Sequence, residues 1–276
     1  MKQNSYGATN GLYLVPTPIG NLDDISKRVK DVLTMVDAIA CEDTRVASKL
    51  LHHLGLNKPL LLNDKYHEDQ TIPLIKAHLD QGHNVALISD AGMPCISDPG
   101  YTVVYTIARS GYPVIPIAGP NAALTALMAS GIDTAHFLFY GFLDASQGKR
   151  ENQLQGLKHH PYTLIFYEAV HRIQPMLESC LKVLGDRQCA IARELTKLHE
   201  TIYRGKLSEV ITEVDQKGEY VIIIEGCHDQ DHDDQNVDKL IELLGKSGMK
   251  PSSISKVVAE YFGLRKNDIY TRLQEK

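Results

Sequence analysis

The sequence predicts an α/β protein with two α/β domains, followed by a small helical module. Short apolar runs alternate with amphipathic stretches of helical length along most of the chain, a pattern typical of parallel sheets covered by helices. A length of 276 residues exceeds what one small core needs and suits two such domains. Near the C-terminal end, the stretch GCHDQDHDDQ carries four aspartates and no lysine or arginine. Such a stretch is typical of a solvated linker ahead of a separate module.

The first series of elements predicts a mostly parallel sheet with helices on both faces. Apolar runs place its strands at 12–15, 38–41, 60–62, 85–88 and 114–117. Amphipathic spacing places its helices at 26–35, 46–54, 71–81 and 101–110. Glycines follow three of these helices, at Gly55, Gly82 and Gly111, as expected where a helix ends in a left-handed residue. Residues 1–118 form the first predicted domain.

A second series of elements predicts another α/β domain at 119–226. Its strands are expected at 137–142, 163–167, 188–193 and 220–225, and its helices around 154–157, at 172–184 and at 207–214. The chain passes from one series to the other near Ile117 to Gly119. Since ligands commonly bind where two domains meet, the cleft between the domains is the expected ligand site.

The C-terminal segment predicts an acidic linker at 227–235 and a helical module at 236–276. Short helices are expected at 237–244, 251–262 and 267–273. Their spacing is similar to a helix-turn-helix, with Ser252 or Ser253 at an N-cap. The exposed cations that would then face RNA are Arg265, Lys266 and Arg272. A small helical cap, packed on the second domain or on a dimer partner, is the alternative interpretation.

Composition narrows the classes of function. The net charge of −5 is not that of a nonspecific nucleic-acid binder. No apolar run approaches the roughly 18 residues of a membrane helix, and the first residues lack the apolar core of a signal peptide. The five cysteines show no CxxC spacing, which argues against a disulfide framework and a zinc site. These features predict a cytoplasmic protein with reduced thiols and no metal site.

Two turn-rich loops at strand ends predict where a ligand binds. The stretch LISDAGMPCISDPG at 87–100 closes an apolar strand and continues with glycines, prolines and aspartates. The stretch AGPNAA at 118–123 opens a helix of small residues, where backbone amides can approach a ligand closely. An ordinary strand-to-helix connection is the alternative for each loop. Neither GxGxxG after the first strand nor GxxxxGK[ST] occurs, so the ligand is not expected to be held by its phosphates.

Eight motifs in unbroken order, spanning residues 11–226, resemble one known family. They are LYLVPTPIGNLDDIS, AIACEDTRVASKLL, LISDAGMPCISDPGY, PIAGPNAALTALMASG, FLFYGFL, TLIFYEAVHRI, ARELTKLHETIYRG and GEYVIIIEG. The resemblance is to the ribosomal RNA small subunit methyltransferase I family, within the tetrapyrrole methylase superfamily. The CEDTR and ARELTKLHE segments separate that family from its porphyrin-modifying relatives.

The resemblance implies an S-adenosylmethionine-dependent methyltransferase that modifies the ribose 2′-hydroxyl of a cytidine in the decoding region of 16S rRNA. It also implies two α/β domains of the tetrapyrrole methylase type, with the cofactor in the cleft between them, and a homodimer. The partner would be the small ribosomal subunit. Two rival functions stay open. One is methylation of a tetrapyrrole such as a precorrin, and the other is RNA binding without catalysis through the C-terminal module.

The same resemblance implies a set of cofactor-binding residues on four segments of the chain. They are Thr17 and Pro18; Asp90, Ala91, Gly92, Met93, Pro94, Ile96 and Ser97; Gly119, Pro120, Asn121 and Ala122; and Tyr167 and Glu168. The relatives' cofactor loop carries Gly-Asp-Pro where this chain has Gly92-Met93-Pro94. We therefore expect the backbone and the shape of this loop, more than a carboxylate at position 93, to hold the cofactor.

Ionisable residues at strand ends are the candidates for catalysis. Methyl transfer needs the acceptor oxygen, the methyl carbon and the sulfur in line, and a positioned base or a nearby cation would activate the weakly acidic hydroxyl. The full set is Glu42, Asp43 and Arg45; Glu168, His171 and Arg172; and Arg193, Glu194, Lys197 and His199.

From this set we select Asp43, Arg45, Glu194 and Lys197 as catalytic candidates. A neutral Lys197 would serve as the base, while Arg45 and Arg193 would bind flanking phosphates. Surface salt bridges or helix caps are the alternative, since Glu194 and Lys197 have i,i+3 spacing. A basic strip at 148–150 and 158–160 is another RNA candidate, although a solvated helix face commonly has the same composition.

Overall fold

The computed structural model describes residue 3 and residues 10–215, 217–227, 231–262 and 264–274. The chain divides into two compact units. The larger unit holds both sheets and runs to residue 225, apart from residues 159–161. Those three residues belong with residues 226–276 in the smaller unit.

The first sheet has five parallel strands, as the sequence predicts. They are β1 (Leu12–Leu14), β2 (Ala38–Cys41), β3 (Leu60–Leu62), β4 (Val85–Ile88) and β5 (Val114–Pro116). Their order is β3-β2-β4-β1-β5, and every neighbouring pair is parallel. In such a sheet the carboxyl ends of all strands lie at one edge, where ligands commonly bind.

Four helices cover the two faces of this sheet. They are α1 (Lys27–Met35), α2 (Thr44–His53), α3 (Glu68–Asp80) and α4 (Tyr101–Arg109). In β2, Ile39 packs on the side of α1 and α2, whereas Ala40 packs on the side of α3 and α4. Both faces are therefore buried, which explains why the strands are apolar throughout.

Two helices of the first series begin earlier than the amphipathic spacing predicts. The side chain of Asp43 accepts a hydrogen bond from the Arg45 backbone and caps α2, so that α2 starts at Thr44. Helix α3 starts at Glu68, which together with Asp69 forms an acidic first turn that suits the helix dipole. Polar first turns bury little surface, so they leave no periodic signal.

The second sheet is mixed. Its strands are β6 (Phe137–Phe142), β7 (Thr163–Glu168), β8 (Gln188–Arg193), β9 (Thr201–Lys206) and β10 (Tyr220–Ile224). The order is β6-β7-β10-β8-β9; β6 and β7 are parallel, and the other pairs are antiparallel. The pairing of β6 with β7 shifts register between Phe139 and Gly141, where Gly141 has φ +79.

Helices also cover both faces of the second sheet. They are α5 (Ala122–Ser130), α6 (Gln147–Leu157), α7 (Ile173–Leu184) and α8 (Leu207–Val210). Helix α5 packs through Ala123 and Leu127 on one face, and α6, α7 and α8 contribute Leu154, Met176 and Leu207 to the core on the other. The helix that follows AGPN therefore packs on the second sheet.

Two parts of the second series differ from the prediction. Strand β9 was not expected, because it lies at the sheet edge and exposes Arg204 and Lys206, so its apolar alternation is weak. Helix α8 ends at Val210 and does not reach residue 214. Beyond it, Thr212 and Glu213 donate to carbonyls only three residues earlier, which turns the chain out of the α-helix.

In its described residues the smaller unit contains three helices: α9 (Asp231–Lys246), α10 (Pro251–Phe262) and α11 (Lys266–Gln274). Their core consists of Val237, Ile241, Ile254, Val258, Ala259 and Ile269. Helix α9 begins at Asp231, inside the segment that the sequence assigns to a linker, and residues 228–230 lie outside the described residues.

The three-helix unit corrects two expectations about single residues. Helix α10 begins at Pro251, and both Ser253 and Ile254 donate to the Lys250 carbonyl. Ser252 and Ser253 therefore lie in the first turn, not at the N-cap, since proline is favoured at the first helical position. Arg272 donates to Asp238 at 2.8 Å and joins α11 to α9; Arg265 and Lys266 are exposed.

The basic strip at 148–150 is only partly on the surface. Arg150 is buried, and its guanidinium donates to Ser179 Oγ at 3.0 Å and to the Ala145 carbonyl at 3.1 Å. Arg150 thus ties α6 to α7 and is not available to RNA. Among the described residues, no helix combines the length and the apolar character needed to cross a membrane.

Candidate active site

A cavity of about 290 Å³ collects residues from both sheets. Ten of the fifteen predicted cofactor residues line it: Asp90, Ala91, Gly92, Met93, Ile96, Ser97, Asn121, Ala122, Tyr167 and Glu168. The loop after β4, the start of α5 and the end of β7 therefore meet around one space. Lys197, which the sequence suggests as a catalytic residue, lines the same cavity.

The remaining lining residues were not predicted. They are Ile19, Asp98, Phe142, Ala169, Ala192, Leu195, Glu219, Tyr220 and Val221. Asp98 belongs to the same turn-rich loop as Asp90, so the sequence contained a signal for it. Ala192 and Val221 lie inside strands, where apolar alternation indicates a face of the sheet but not whether that face meets a helix or a cavity.

Five predicted cofactor residues do not line the cavity: Thr17, Pro18, Pro94, Gly119 and Pro120. Two of them show why. The backbone of Thr17 exchanges two hydrogen bonds with Gly92, at 2.9 and 3.0 Å, and its hydroxyl donates to the Ser89 carbonyl. A Cβ at Gly119 would lie 2.4 Å from Cγ of Pro16. These two residues therefore fix the loops that form the cavity.

Strained backbone concentrates in two loops of the site. Cys95 and Ser97 have φ of 70 and 67, and Glu194 and Thr196 have φ of 51 and 65. Residues other than glycine seldom occupy this left-handed region, and such strain often clusters where a site needs a fixed shape. The loop after β4 and the loop after β8 are therefore the two parts of the site with the least ordinary backbone.

Side chains that line the cavity also hold it together. Asn121 Oδ1 accepts from the Leu124 backbone at 2.9 Å and caps α5, and its amide lies 3.5 Å from the Met93 sulfur. The Tyr167 hydroxyl accepts from the Ala123 backbone at 3.2 Å. Met93 thus contacts the residue that caps α5.

Glu168 is buried and ion-paired. Its carboxylate accepts from Arg172 Nη2 at 3.1 Å and from its neighbour's backbone, that of Ala169, at 2.8 Å. Arg172 also donates to the Leu143 carbonyl at 2.5 Å. This pair fixes the end of β7 against the chain that follows β6.

The four catalytic candidates form two separate ion pairs. Asp43 and Arg45 share hydrogen bonds of 2.6 to 3.2 Å, and neither lines the cavity. Lys197 Nζ donates to Glu194 at 2.9 Å and to Glu219 at 3.0 Å. The salt bridge and the helix cap that the sequence left as alternatives are both present.

The comparisons with known proteins cover most of the chain. The model of the family described as Tetrapyrrole (Corrin/Porphyrin) Methylases matches residues 11–211. A protein of Escherichia coli O157:H7 named ribosomal RNA small subunit methyltransferase I is 42% identical over 275 residues, 97% of this chain and 96% of that protein. The protein of the same name from Bacillus subtilis is 45% identical over 227 residues, 81% of this chain and 78% of that protein.

The chain belongs to the ribosomal RNA small subunit methyltransferase I family. Two solved structures show the fold. A uroporphyrin-III-C-methyltransferase from Thermus thermophilus gives a TM-score of 0.56 at 17% identity, over 78% of this chain and 94% of that one. A cobalt precorrin-4 methyltransferase gives 0.59 at 16% identity, over 78% and 95%. This member of the family therefore has the tetrapyrrole methylase fold, as the sequence predicts.

Carboxylates dominate the charge of the cavity in this family member. Burial, together with the charges of Glu42 and Asp90, raises the pKa of Asp98 to about 6. Burial and the neighbouring Asp43 likewise raise the pKa of Asp90, although the Asp43 backbone donates to it at 3.2 Å. Within the described ranges no group of three or more acidic, histidine or cysteine side chains is arranged to bind a metal ion.

The contacts of Lys197 favour its charged form over the neutral amine. Burial lowers the pKa of Lys197, but the hydrogen bonds to Glu194 and Glu219 outweigh burial, so the pKa is raised overall. Lys197 therefore carries a positive charge at neutral pH and is not suited to act as a base. Glu219 is the partner that the i,i+3 spacing of Glu194 and Lys197 did not reveal.

The two arginines that the sequence predicts as phosphate ligands, Arg45 and Arg193, both form ion pairs within the protein. Arg193 is mostly buried, with 12% of its side chain exposed, and it pairs with Asp215 at 3.0 Å. It therefore holds the turn before β10 and is not free for RNA. Arg45 is 86% exposed, and hydrogen bonds from Arg45 lower the pKa of Asp43 to about 2.

Proposed function

We propose that this chain transfers a methyl group from S-adenosylmethionine to the 2′-hydroxyl of a cytidine in the decoding region of 16S rRNA. The observation that carries the proposal is the near full-length similarity to an E. coli protein named as a small subunit rRNA methyltransferase. The small ribosomal subunit is then the partner and the cytoplasm the compartment. We further propose a homodimer, as the fold family implies.

The residues around the cavity suit this cofactor. S-adenosylmethionine supplies an electrophilic methyl group on a positively charged sulfur. Asp90, Asp98 and Glu219 bring negative charge to the cavity, which favours a cation. Phe142 and Val221 add apolar surface, which suits the flat faces of an adenine ring.

We assign cofactor binding to the ten predicted residues that line the cavity. The five that do not line it, Thr17, Pro18, Pro94, Gly119 and Pro120, are proposed to shape the loops. Lys197 is proposed as the cation that lowers the pKa of the acceptor hydroxyl, with Glu194 holding its ammonium in place. Asp43 and Arg45 are proposed to position the loop of Asp90 through the Asp43 backbone.

The protein's part in such a reaction is mainly positioning. In-line displacement needs three atoms aligned, so rigid loops that hold the cofactor and exclude water supply much of the rate enhancement. The ion pair of Glu168 with Arg172 and the hydrogen bonds between Thr17 and Gly92 provide that rigidity.

The proposal is tested by offering the purified chain radiolabelled S-adenosylmethionine with one of two acceptors. The first acceptor is small ribosomal subunits that lack the modification, and the second is a precorrin. We expect label in 16S rRNA, recovered after nuclease digestion as 2′-O-methylcytidine. Label in the precorrin would support the tetrapyrrole function instead. Absence of cofactor binding by calorimetry would favour RNA binding without catalysis.

A further inference from the structure

A second cavity, of about 250 Å³, lies beside the first in the larger unit. It is formed by segment 17–22 after β1, by one side of α2 and by the end of β4. Asp90 lines both cavities, and segment 17–22 contributes Ile19 to the first and Pro18 and Gly20 to the second. The two spaces are therefore neighbours that share a carboxylate and one short stretch of chain.

The walls of the second cavity are apolar and its rim is polar. Leu22, Val46 and Leu50 contribute apolar side chains, while Lys49 and His53 are exposed on α2. Apolar walls with a few polar groups at the edge are typical of a pocket for a flat heterocycle. Bases taken out of a nucleic-acid stack are held between such side chains.

The rim also carries charge suited to a nucleic-acid backbone. Among the described residues, no carboxylate forms an ion pair with Lys49. Arg45 lies one turn earlier on α2, outside the residues that line the cavity; its side chain is 86% exposed and pairs with Asp43 at 2.6 Å. Cations at the rim of a pocket neutralise phosphates and position the nucleic-acid strand, whereas the pocket itself binds the base.

We propose that the second cavity receives the nucleoside whose hydroxyl accepts the methyl group. The proposal rests on the proposed function and deepens it, because it locates the acceptor. A nucleoside seated against Pro18 and Val46 would present its ribose toward Asp90, which faces the cofactor cavity as well. Lys49 would contact a phosphate next to the flipped nucleotide.

The first test fills the second cavity and leaves the first one unchanged. Val46 is 37% exposed and lines the second cavity, so Val46→Trp adds bulk there. Ser48 is exposed on the same helix and lines neither cavity, so Ser48→Trp is the matched control. We expect Val46→Trp to lower kcat/KM for small ribosomal subunits roughly 100-fold.

Binding of S-adenosylmethionine, measured by calorimetry, should be unchanged in both variants, which also shows that they are folded. Ser48→Trp should keep the parent's kcat/KM. If Val46→Trp transfers methyl groups as fast as the parent, or loses cofactor binding to the same degree as transfer, the proposed location is wrong.

The second test maps the pocket without measuring a rate. Leu22, which lines the second cavity, is replaced by the photoreactive residue p-benzoylphenylalanine, and exposed Met35 on α1 receives the same change as a control. After irradiation with small ribosomal subunits, reverse transcription locates the crosslinks. We expect the Leu22 crosslink at or beside the nucleotide that becomes methylated, and no crosslink there from position 35.

A Leu22 crosslink elsewhere in the rRNA would overturn the pocket assignment, even with a fully active parent protein. A parent protein that methylates no rRNA would instead overturn the proposed function. The two failures are therefore distinguishable, because the parent's activity is measured separately in each experiment.

Discussion

The two sheets contribute in different ways to the cavity in which we propose that the cofactor binds. The parallel sheet provides a loop at a strand end, with the polar side chains Asp90, Ser97 and Asp98, and parts of that loop are strained. The mixed sheet provides apolar side chains from within its strands, among them Phe142 and Val221. Parallel strands end at one common edge, whereas a mixed sheet offers a face. The parallel sheet thus contributes carboxylates from one loop, whereas the mixed sheet contributes apolar strand side chains together with the ion-paired residues Glu168, Lys197 and Glu219.

The largest expected effect concerns the rigidity of the mixed sheet's side of the cavity. Glu168 is buried and Arg172 is partly buried. Replacing Glu168 by glutamine leaves the Arg172 guanidinium without its carboxylate partner, and breaking such a pair costs up to about 3 kcal/mol. We expect urea denaturation to show a loss of this size. Glu178→Gln, an exposed change on α7, is the control and should alter stability by less than about 0.5 kcal/mol. Equal stability of both variants would mean that the pair contributes little.

The next effect tests charge recognition by the parallel sheet. Asp98→Asn removes a carboxylate from the cavity, and we expect calorimetry at pH 7.5 to show about tenfold weaker binding of S-adenosylmethionine, or about 1.4 kcal/mol. Because burial raises the pKa of Asp98 to about 6, the parent should bind the cofactor more weakly as the pH falls through 6. The variant should lack that step. An identical pH dependence in both proteins would exclude Asp98 from cofactor recognition.

Asp98→Asn should also change the stability of the protein, and here we expect a gain, whereas cofactor binding is expected to weaken. The pKa of Asp98 rises from 3.8 to about 6 on folding, so the folded protein binds this proton more tightly than the unfolded chain does. The carboxylate therefore destabilises the fold fully above pH 6 and not below about pH 3.8. Asp98→Asn should raise the free energy of unfolding at pH 8 but not at pH 3.5.

A smaller effect tests the contact between the two halves of the cavity. A Cβ at Gly20 would lie 2.5 Å from Cγ of Lys197 and 3.0 Å from the Leu195 carbonyl, and both residues line the cavity. We expect Gly20→Ala to lower stability by about 1 kcal/mol and to weaken cofactor binding a few-fold. Gly148→Ala, where a Cβ meets open space within α6, should be neutral or stabilising in both assays.

The smallest effect concerns strain in the loop after β4. Ser97→Gly removes a left-handed serine, and the relief of about 1 kcal/mol is partly offset by the greater freedom of glycine in the unfolded chain. We expect a gain in stability of about 0.5 kcal/mol in a denaturation curve. Ser146→Gly, at a position with ordinary extended backbone before α6, should give no gain. A loss for Ser97→Gly would show that the serine side chain makes a contact that outweighs the strain.

The difference between the two sheets also explains which parts of the fold and of the site could be predicted from the sequence. The central strands β2 and β4 of the parallel sheet are buried on both faces, so they appear as short apolar runs. The loop of Asp90 stands out because it is polar and rich in turns. The contribution of the mixed sheet could not be predicted. An apolar strand residue such as Val221 gives the same sequence pattern whether its side chain packs under a helix or lines a cavity. Strand β9 was missed because its polar residues Thr201, Arg204 and Lys206 leave too few apolar positions to show a pattern.

Long-range partners account for the wrong expectations about charge. Lys197 is kept protonated in part by Glu219, and Arg193 is held by Asp215; both carboxylates lie more than 20 residues away along the chain. Arg150 is buried because Ser179 accepts its hydrogen bond on the next helix. Local spacing cannot reveal such pairs, so the chemical role of a charged residue depended on the fold.

The register shift at Gly141 bears on solubility. Strand β6 is an edge of the mixed sheet and exposes Phe137, Tyr140 and Phe142, and an edge of this kind can recruit strands from other chains into growing aggregates. The bulge, with Gly141 at φ +79, interrupts the regular row of hydrogen-bonding groups and twists the strand. A chain straightened at this position would be expected to precipitate at lower concentration, even if the cavity between the two sheets were intact.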